Sequence, residues 1–416
     1  MTVSRRRRTA VLGALPILLG ALSCETGGSG TAAPAPGAAV FSLPPAQQLR
    51  AAAEATRRAG TATFVGTLAL SSAAGTAVEH TTGAMDFAES RSRAEVSLEV
   101  AGAFPEDAAA ALRGGREAPG PLSLATDGGD VFARGEDSAW LRFTPGAVEE
   151  FGGAVAAFSE HSASPAAPYG GTLADLVPSA VAERAPEERA DGSRRYRVTV
   201  PARTAAKALP AALRPGTAER GGEQVPLTVE LDGLGRITRV DADFGPLLAA
   251  LRQEGLPEGV TDVRGTLELG ALGEPTAYRL PGRDGAGVED ARKVLTPLRE
   301  FAAGSCAARE PVLATAPLTR ASPLRTADCD AAHDLRVLAR FGPGEPPAGQ
   351  HPVGGAESAT RCAGALARAP EEWRREARRD GAALVVAVEP PAAAARPGAA
   401  GTGGTTGGTT CVVGRV

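Results

Sequence analysis

The chain has 416 residues, with 44 Lys and Arg against 48 Asp and Glu, a formal net charge of −4, and only 16 aromatic residues. Two of the basic residues are Lys and 42 are Arg, and Asn is absent; this skew matches a GC-rich genome, so the Ala, Arg, Gly and Pro counts say less than usual. Gly and Pro together make 85 residues, below the roughly 25–30% that marks low-complexity disorder, and no cationic excess beyond the first ten residues argues for a nucleic-acid partner. The length suggests two domains at about 100–200 residues each. Five cysteines, an odd number, need an explanation.

Residues 1–23 read as a leader. Arg5 to Arg8 form a basic region, and Ala10 to Leu22 form a 13-residue apolar stretch, too short to cross a hydrocarbon core of ~30 Å as a helix. The stretch ends Ala21-Leu22-Ser23-Cys24 and resembles the lipobox of bacterial lipoproteins, with Ala21 and Leu22 departing from the usual residues and Ser23 fitting. The resemblance implies that Cys24 is diacylated and becomes the new N-terminus; the alternative is an ordinary secretory signal with an incidental Cys. Two acyl chains, at about 0.8 kcal/mol per buried CH₂, hold a protein to a membrane without a spanning helix. The expected location is therefore the extracytoplasmic face of the cell membrane, reached by Sec or, given the arginines, by Tat. Cleavage leaves 40 basic and 48 acidic residues, a mature charge of −8. Residues 24–45, rich in Gly, Ala and Pro, are expected to form a flexible tether reaching roughly 25 Å.

Residues 46–282 are expected to form the first domain. Gln47 to Arg58 reads as a helix, with Leu49, Ala52 and Ala53 on one side. The period then becomes two. Phe64, Gly66, Leu68 and Leu70 alternate with Thr63, Val65, Thr67 and Ala69; strands follow through Val78 to Phe87 and Ala94 to Val100; and Val131–Ala133 and Trp140–Phe143 read as a hairpin. Tyr196-Val198-Val200, Val225-Leu227-Val229-Leu231, Val240-Ala242-Phe244 and Val263-Gly265-Leu267-Leu269 alternate with polar residues most clearly, and Asp232-Gly233-Leu234-Gly235 marks a hairpin turn. Helices are expected over Leu173–Arg184, with a break at Pro178, over Arg203–Leu213 and over Pro246–Arg252. The class is α+β: one large antiparallel sheet of some eight or nine strands, polar on one face, apolar on the other, with few helices to cover it. Such a sheet curls or leaves a cavity.

The order of elements, with Gly60-Thr61-Ala62-Thr63-Phe64, Gly83-Ala84-Met85-Asp86-Phe87, Trp140-Leu141-Arg142-Phe143 and Gly192 followed by Tyr196-Arg197-Val198-Thr199-Val200-Pro201, resembles the actinobacterial LppX/LprG-type lipoproteins. The resemblance implies a half-barrel with helices on its concave face and an apolar cavity carrying acylated lipids or glycolipids between membrane and envelope. It supplies no ligand residue by motif. Phe64, Leu68, Val198, Val229 and Leu267 are candidates for the cavity lining as inward strand positions, with plain core packing as the alternative.

A linker and helix are expected over residues 283–300, with a Gly-rich hinge at Asp284–Val288, and a second domain over 301–416. Cys306, Cys329, Cys362 and Cys411 read as two disulfides in an oxidising compartment; four cysteines allow three pairings, and spacing does not choose among them. The run Ala327-Asp328-Cys329-Asp330-Ala331-Ala332-His333-Asp334-Leu335-Arg336-Val337, with the later Cys362, Trp373 and Cys411-Val412-Val413, resembles the septum formation-related domain of actinobacteria. Residues 392–410, ending in Gly-Thr repeats, are expected to form a low-complexity loop.

Catalytic signatures are missing. Cys329 and His333 have the spacing of half a metal site, against which stands a disulfide plus a His closing a local turn. Asp241 and Asp243 share a strand face with other charges and read as solvated surface. Gly233-Leu234-Gly235 lacks the third glycine and following helix of a dinucleotide loop, and neither a Gly-x-Ser-x-Gly elbow nor a phosphate loop occurs. No metal or cofactor is expected, nor an enzyme. The leading expectation is a membrane-anchored carrier of an apolar or acylated ligand. Its rivals are an envelope or septal protein-interaction module and a ligand sensor.

Overall fold

The computed structural model describes residues 38–112, 120–136, 138–151, 173–210, 213, 223–253, 256–276, 279–282, 287–313, 318–341, 355–378, 382–388 and 409–415. The leader, Cys24, His161, His351 and residues 392–408 lie outside the described residues.

Thirteen strands make the larger sheet. They are β1 (Thr61–Ser72), β2 (Gly75–Asp86), β3 (Arg91–Gly102), β4 (Leu122–Asp127), β5 (Asp130–Gly135), β6 (Trp140–Phe143), β7 (Val181–Ala182), β8 (Glu187–Glu188), β9 (Arg194–Pro201), β10 (Gln224–Leu231), β11 (Ile237–Asp243), β12 (Val260–Gly270) and β13 (Val288–Asp290). The order is β13-β6-β5-β4-β3-β2-β1-β12-β11-β10-β9-β7, with β8 also on β9. Neighbours are antiparallel except β13 against β6. β12 returns beside β1, while the two ends stay unjoined, so the sheet is an open half-barrel.

Alternation decides which residues face inward. The register lines up Tyr196, Val229, Val240, Leu267 and Gly66 across five strands, and next to them Val198, Leu227, Ala242, Gly265, Leu68, Glu79 and Leu98. Most of these belong to one buried apolar cluster. The outward positions carry charge, as in the ion pairs Arg189–Glu230 at 2.8 Å and Arg239–Asp241 at 2.9 Å. Asp241 also accepts from Thr266 Oγ1, and Asp243 accepts the Gly245 N–H, so both carboxylates serve local structure.

The helix Pro45–Arg58 begins on a proline, whose missing N–H costs nothing in a first turn. Leu49, Ala52, Ala53 and Thr56 recur at helical spacing and are buried on the inner face of the sheet. Two polar side chains fix the helix there. Thr56 Oγ1 donates to Ala52 O and accepts the Ile237 N–H, both at 2.8 Å. The buried Gln48 meets the Tyr196 hydroxyl through Oε1 and donates from Nε2 to the Phe41 and Leu43 carbonyls. Burial holds the Tyr196 hydroxyl above its usual pKa, against the opposing hydrogen bond and charge of Arg194.

Several expectations shift. Ala38–Phe41, expected within the tether, forms a helical turn; Val40 is buried over Gly235, and Arg194 lies 4.2 Å over the Phe41 ring. The helix expected over Leu173–Arg184 breaks at Pro178, as Leu173–Leu176 and a 3₁₀ turn at Val177–Ser179, and does not resume, because Pro178 cannot donate and β7 follows. That over Arg203–Leu213 shrinks to Ala202–Ala205 and a 3₁₀ turn, with residues 211–212 outside the described set. Pro246–Arg252 is a 3₁₀ turn running into Leu248–Gln253. Glu289 begins no long helix: β13 joins the larger sheet, Ala291–Val294 is one helical turn, and Asp290 caps it by accepting the Arg292 N–H.

The smaller sheet contains β14 (Thr296–Pro297), β15 (Cys306–Arg309), β16 (Pro323–Ala327), β17 (Leu335–Phe341), β18 (Ala382–Val388) and β19 (Thr409–Arg415), in the order β14-β16-β15-β17-β19-β18. Thr409 and Thr410, expected in the loop, open a buried strand. Cys306 pairs with Cys329, and Cys362 on the helix Gly355–Arg368 pairs with Cys411 on β19. Closed loops of this kind stabilise by about 2–4 kcal/mol each. The segment between the sheets is packed. Ala291, Leu295, Val312 and Leu313 cover Leu122, Val131 and Leu141 of the larger sheet, and Arg325 of β16 reaches Glu310 at 2.6 Å and Glu289 at 2.7 Å.

Gly83 shows how closely the inner face is filled. A Cβ there would sit 2.2 Å from the Arg93 carbonyl oxygen and 2.5 Å from the Phe64 ring. Gly83→Val is therefore expected to destabilise the fold by about 2–4 kcal/mol, read as a lowered urea midpoint with unchanged m-value.

Candidate functional site

All five residues expected to line a cavity are buried and share one cluster: Phe64, Leu68, Val198, Val229 and Leu267. They divide into two groups. Val198 and Val229 stand on β9 and β10, where Val229 lies between the buried Tyr196 and Val240 and Val198 beside the buried Leu227, and act as core. Phe64 and Leu68 flank Gly66 along β1, and Leu267 faces Gly66 from β12.

Gly66 is where the packing relaxes. A Cβ built there would meet nothing closer than Thr81 Cβ at 3.7 Å, an ordinary contact. The other inward glycines differ: at Gly265 the added atom would lie 3.1 Å from Phe244 and 3.3 Å from Leu173. Thr81, which pairs with Gly66, is half-buried. Beyond it on the same face, Leu98 is half-buried and Val100 is 44% exposed. β4 pairs with β3 only as far as Val96, so the sheet parts beside these two residues. The result is a less crowded stretch of the inner face at Gly66 and Thr81 that leads toward the exposed end of β3. Glu79, buried between Leu68 and Leu98 in the register, places one carboxylate at its side.

At the other end of β1 and β2, beneath the helix Pro45–Arg58, Ala53, Met85, Phe87, Ala174, Ile237 and Leu269 line a cleft. Its cavity volume is about 20 Å³, enough for roughly one water and far short of an acyl chain. Arg57 and Asp175 stand at its mouth 3.8 Å apart, joining the two helices that cover it.

The Cys329 and His333 spacing resolves without a metal arrangement. Cys329 is bonded to Cys306, and His333 Nδ1 lies 2.9 Å from the Ala331 carbonyl oxygen while Nε2 lies 2.7 Å from Glu376 Oε1. Arg336 donates to the other Glu376 oxygen at 2.7 Å and lies 5.4 Å from the Trp373 ring. This cluster ties the helix Glu371–Glu376 to β17. Among the described residues no group of three or more His, Cys, Asp and Glu has the geometry to hold a metal ion. His80 stands apart, 3.7 Å from Glu99 on the exposed face.

Sequence reasoning found the inward-facing strands but missed Gly66 as the distinctive position. The available signal was a residue without a side chain inside an otherwise continuous apolar alternation, and strand glycines often mark places where another group approaches the backbone. Glu79 was also missed, because an acid between Val78 and His80 looks outward until the register is known.

Burial opposes the charge of Glu376, but hydrogen bonds from Arg336 and His333, with their charges, outweigh it and hold the carboxyl below its ordinary value of 4.5. A depressed carboxyl stabilises the fold above the unfolded value and loses that contribution as pH falls through the folded one. The urea midpoint is therefore expected to decline as pH drops below about 4.5, and Glu376→Gln is expected to flatten part of that decline.

No protein-family model matches the chain, and no curated protein matches it. Matching solved structures include LprF from Mycobacterium bovis, at 12% identity and TM-score 0.31, over 59% of this chain and 99% of that one. The Mycobacterium tuberculosis lipoprotein LppX matches at 13% identity and TM-score 0.29, over 56% and 99% of the two chains. The MucA/MucB complex of Pseudomonas aeruginosa matches at 12% identity and TM-score 0.26, over 89% and 92%.

Proposed function

We propose that this chain is a non-enzymatic extracytoplasmic binding protein, held to the membrane by acyl groups on Cys24, whose larger sheet seats an apolar or acylated ligand. The observation that carries the reading is the less crowded stretch of the inner face at Gly66 and Thr81, where an added Cβ would make only ordinary contacts. It is continuous with the half-buried Leu98 and the exposed Val100. Apolar space that is lined by few polar groups suits a lipid tail or glycolipid acyl group. The lipobox resemblance supports anchoring, and no helix among the described residues is long and apolar enough to cross a membrane. The two disulfides support an oxidising compartment.

A second reading, an envelope interaction module, is favoured by the remainder of the inner face, where Val229, Val240 and Tyr196 are sealed. The disulfide-stapled smaller sheet fits that reading too. Its resemblance to the septum formation-related domain suggests envelope or septal partners and assigns no division role.

Lipid extraction and native mass spectrometry of the purified protein separate the two. The carrier is expected to hold, or take up, an acylated molecule or an apolar fluorescent dye. Gly66→Leu puts a bulky side chain over this stretch and is expected to weaken uptake at least tenfold, about 1.4 kcal/mol, while thermal stability is retained. A protein recovered empty and indifferent to lipid and dye would sink the carrier reading.

A further inference from the structure

The two disulfides of the smaller sheet stand in different surroundings. Cys362 and Cys411 are fully buried. Cys306 is buried too, but its partner Cys329 keeps solvent contact at the start of the turn between β16 and β17. A thiolate attacks a disulfide at one sulfur, so access decides which bond exchanges, and exposed bonds are the labile ones. Of the four bonded cysteines, Cys329 alone offers that access.

The bond holds more than its own loop. At the far end of the turn Asp334 is fixed to β15, donating its N–H to the Ala307 carbonyl at 3.0 Å and accepting the Arg309 N–H at 2.7 Å. Between Cys329 and Asp334, the N–H groups of Asp330 and Ala331 only reach back to Asp328, and Asp330, Ala331 and Ala332 are exposed. His333 is the side chain that reaches out of this turn, with Nε2 2.7 Å from Glu376 Oε1. Glu376 ends the helix Glu371–Glu376, six residues of which none is buried. A helix this short, with no residue sunk in a core, depends on the few contacts that seat it. They are the largely buried cluster of His333, Arg336 and Glu376, and the half-buried Trp373, which rests beside Leu338 and Cys362. Trp373 also lies against Gly304, two residues before Cys306: a Cβ there would sit 3.2 Å from its ring. Bond, turn and helix are thus mechanically joined.

We propose that the Cys306–Cys329 bond is a redox latch that seats the helix Glu371–Glu376, opened by a dithiol reductant. One thiolate of the dithiol attacks Cys329 Sγ and displaces the Cys306 thiolate. The second thiolate then attacks the mixed disulfide and displaces Cys329. Each departing thiolate takes up a proton released by the dithiol, so two electrons pass to the protein and the reductant ends as its own disulfide. The turn loses its upstream anchor while Ala327 stays paired with Cys306 in the ladder. His333 then leaves Glu376 and the helix detaches from β17, while the sealed Cys362–Cys411 bond keeps the sheet intact.

Stepwise dithiothreitol treatment of the folded protein, followed by thiol alkylation and peptide mass spectrometry, tests the order of opening. Cys306–Cys329 is expected to open at about a tenfold lower concentration than Cys362–Cys411. At that point amide exchange of residues 371–376 is expected to rise about tenfold with β17 and β19 unchanged. Trp373 emission is expected to shift to the red; Trp140, the other Trp of the chain, is fully buried in the larger sheet. Reoxidation is expected to reverse both changes. His333→Ala is expected to loosen the helix with the bond intact and to leave reduction little to add. Equal reduction of the two bonds overturns the proposal, and so does unchanged helix exchange after selective reduction. Exchange that rises throughout β15–β19, the mark of a purely structural staple, overturns it as well, as does a full gain on reduction in His333→Ala.

Discussion

Covering one apolar face of a wide antiparallel sheet is the constraint on which the rest of this molecule depends. Period-two alternation over β1, β2, β3 and β9–β12 turns every second side chain inward, and an open half-barrel does not close on itself to bury them. At roughly 25 cal/mol per Å² of apolar surface, leaving that face wet would cost more than the marginal stability of an ordinary domain. The cover comes from short pieces: the helix Pro45–Arg58, the turns at Leu173–Ser179 and Gly245–Gln253, and at the far end the segment joining the two sheets. Gln48 and Thr56 then fix the longest cover piece to β9 and β11 through buried hydrogen bonds, which specify one seating that apolar contact alone would leave free.

The same constraint explains why the position of Gly66 is informative. Where cover and sheet fit, the inward glycines are crowded, as at Gly83 under Phe64 and Gly265 under Phe244 and Leu173. At Gly66 an added Cβ would make only ordinary contacts, and the neighbouring Leu98 and Val100 gain exposure as β3 outruns its pairing with β4. A small cleft under Arg57 and Asp175 adds little space of its own. The proposed ligand seat is therefore a part of the inner face less crowded than at Gly83 or Gly265.

Much of this was legible in the sequence because it depends on local pattern. The strand faces, the hairpin at Asp232-Gly233-Leu234-Gly235 and the inward set Phe64, Leu68, Val198, Val229 and Leu267 follow from alternation. β4 was hidden because both of its faces are buried: Ser123 and Ala125 point away from the apolar core, yet Ala125 lies under Phe132 and Trp140, so polar alternation is blurred. The break at Pro178 was legible, but the helix over Arg203–Leu213 was overestimated because Ala-rich composition raised propensity while Pro210 cut the run short. The packed joint between the sheets escaped notice because Glu289, Glu310 and Arg325 meet only through tertiary contact. Hydrophobic pattern places Gly66 on the inner face; only the seating of the cover decides whether space remains above it.

Amide hydrogen exchange of β1–β3, with and without a saturating single-chain acylated amphiphile, tests the central claim most directly. The account predicts slowed exchange centred on Gly66, Thr81 and Leu98, with the smaller sheet unchanged. Unaltered exchange across β1–β3, or protection confined to the smaller sheet, would contradict it.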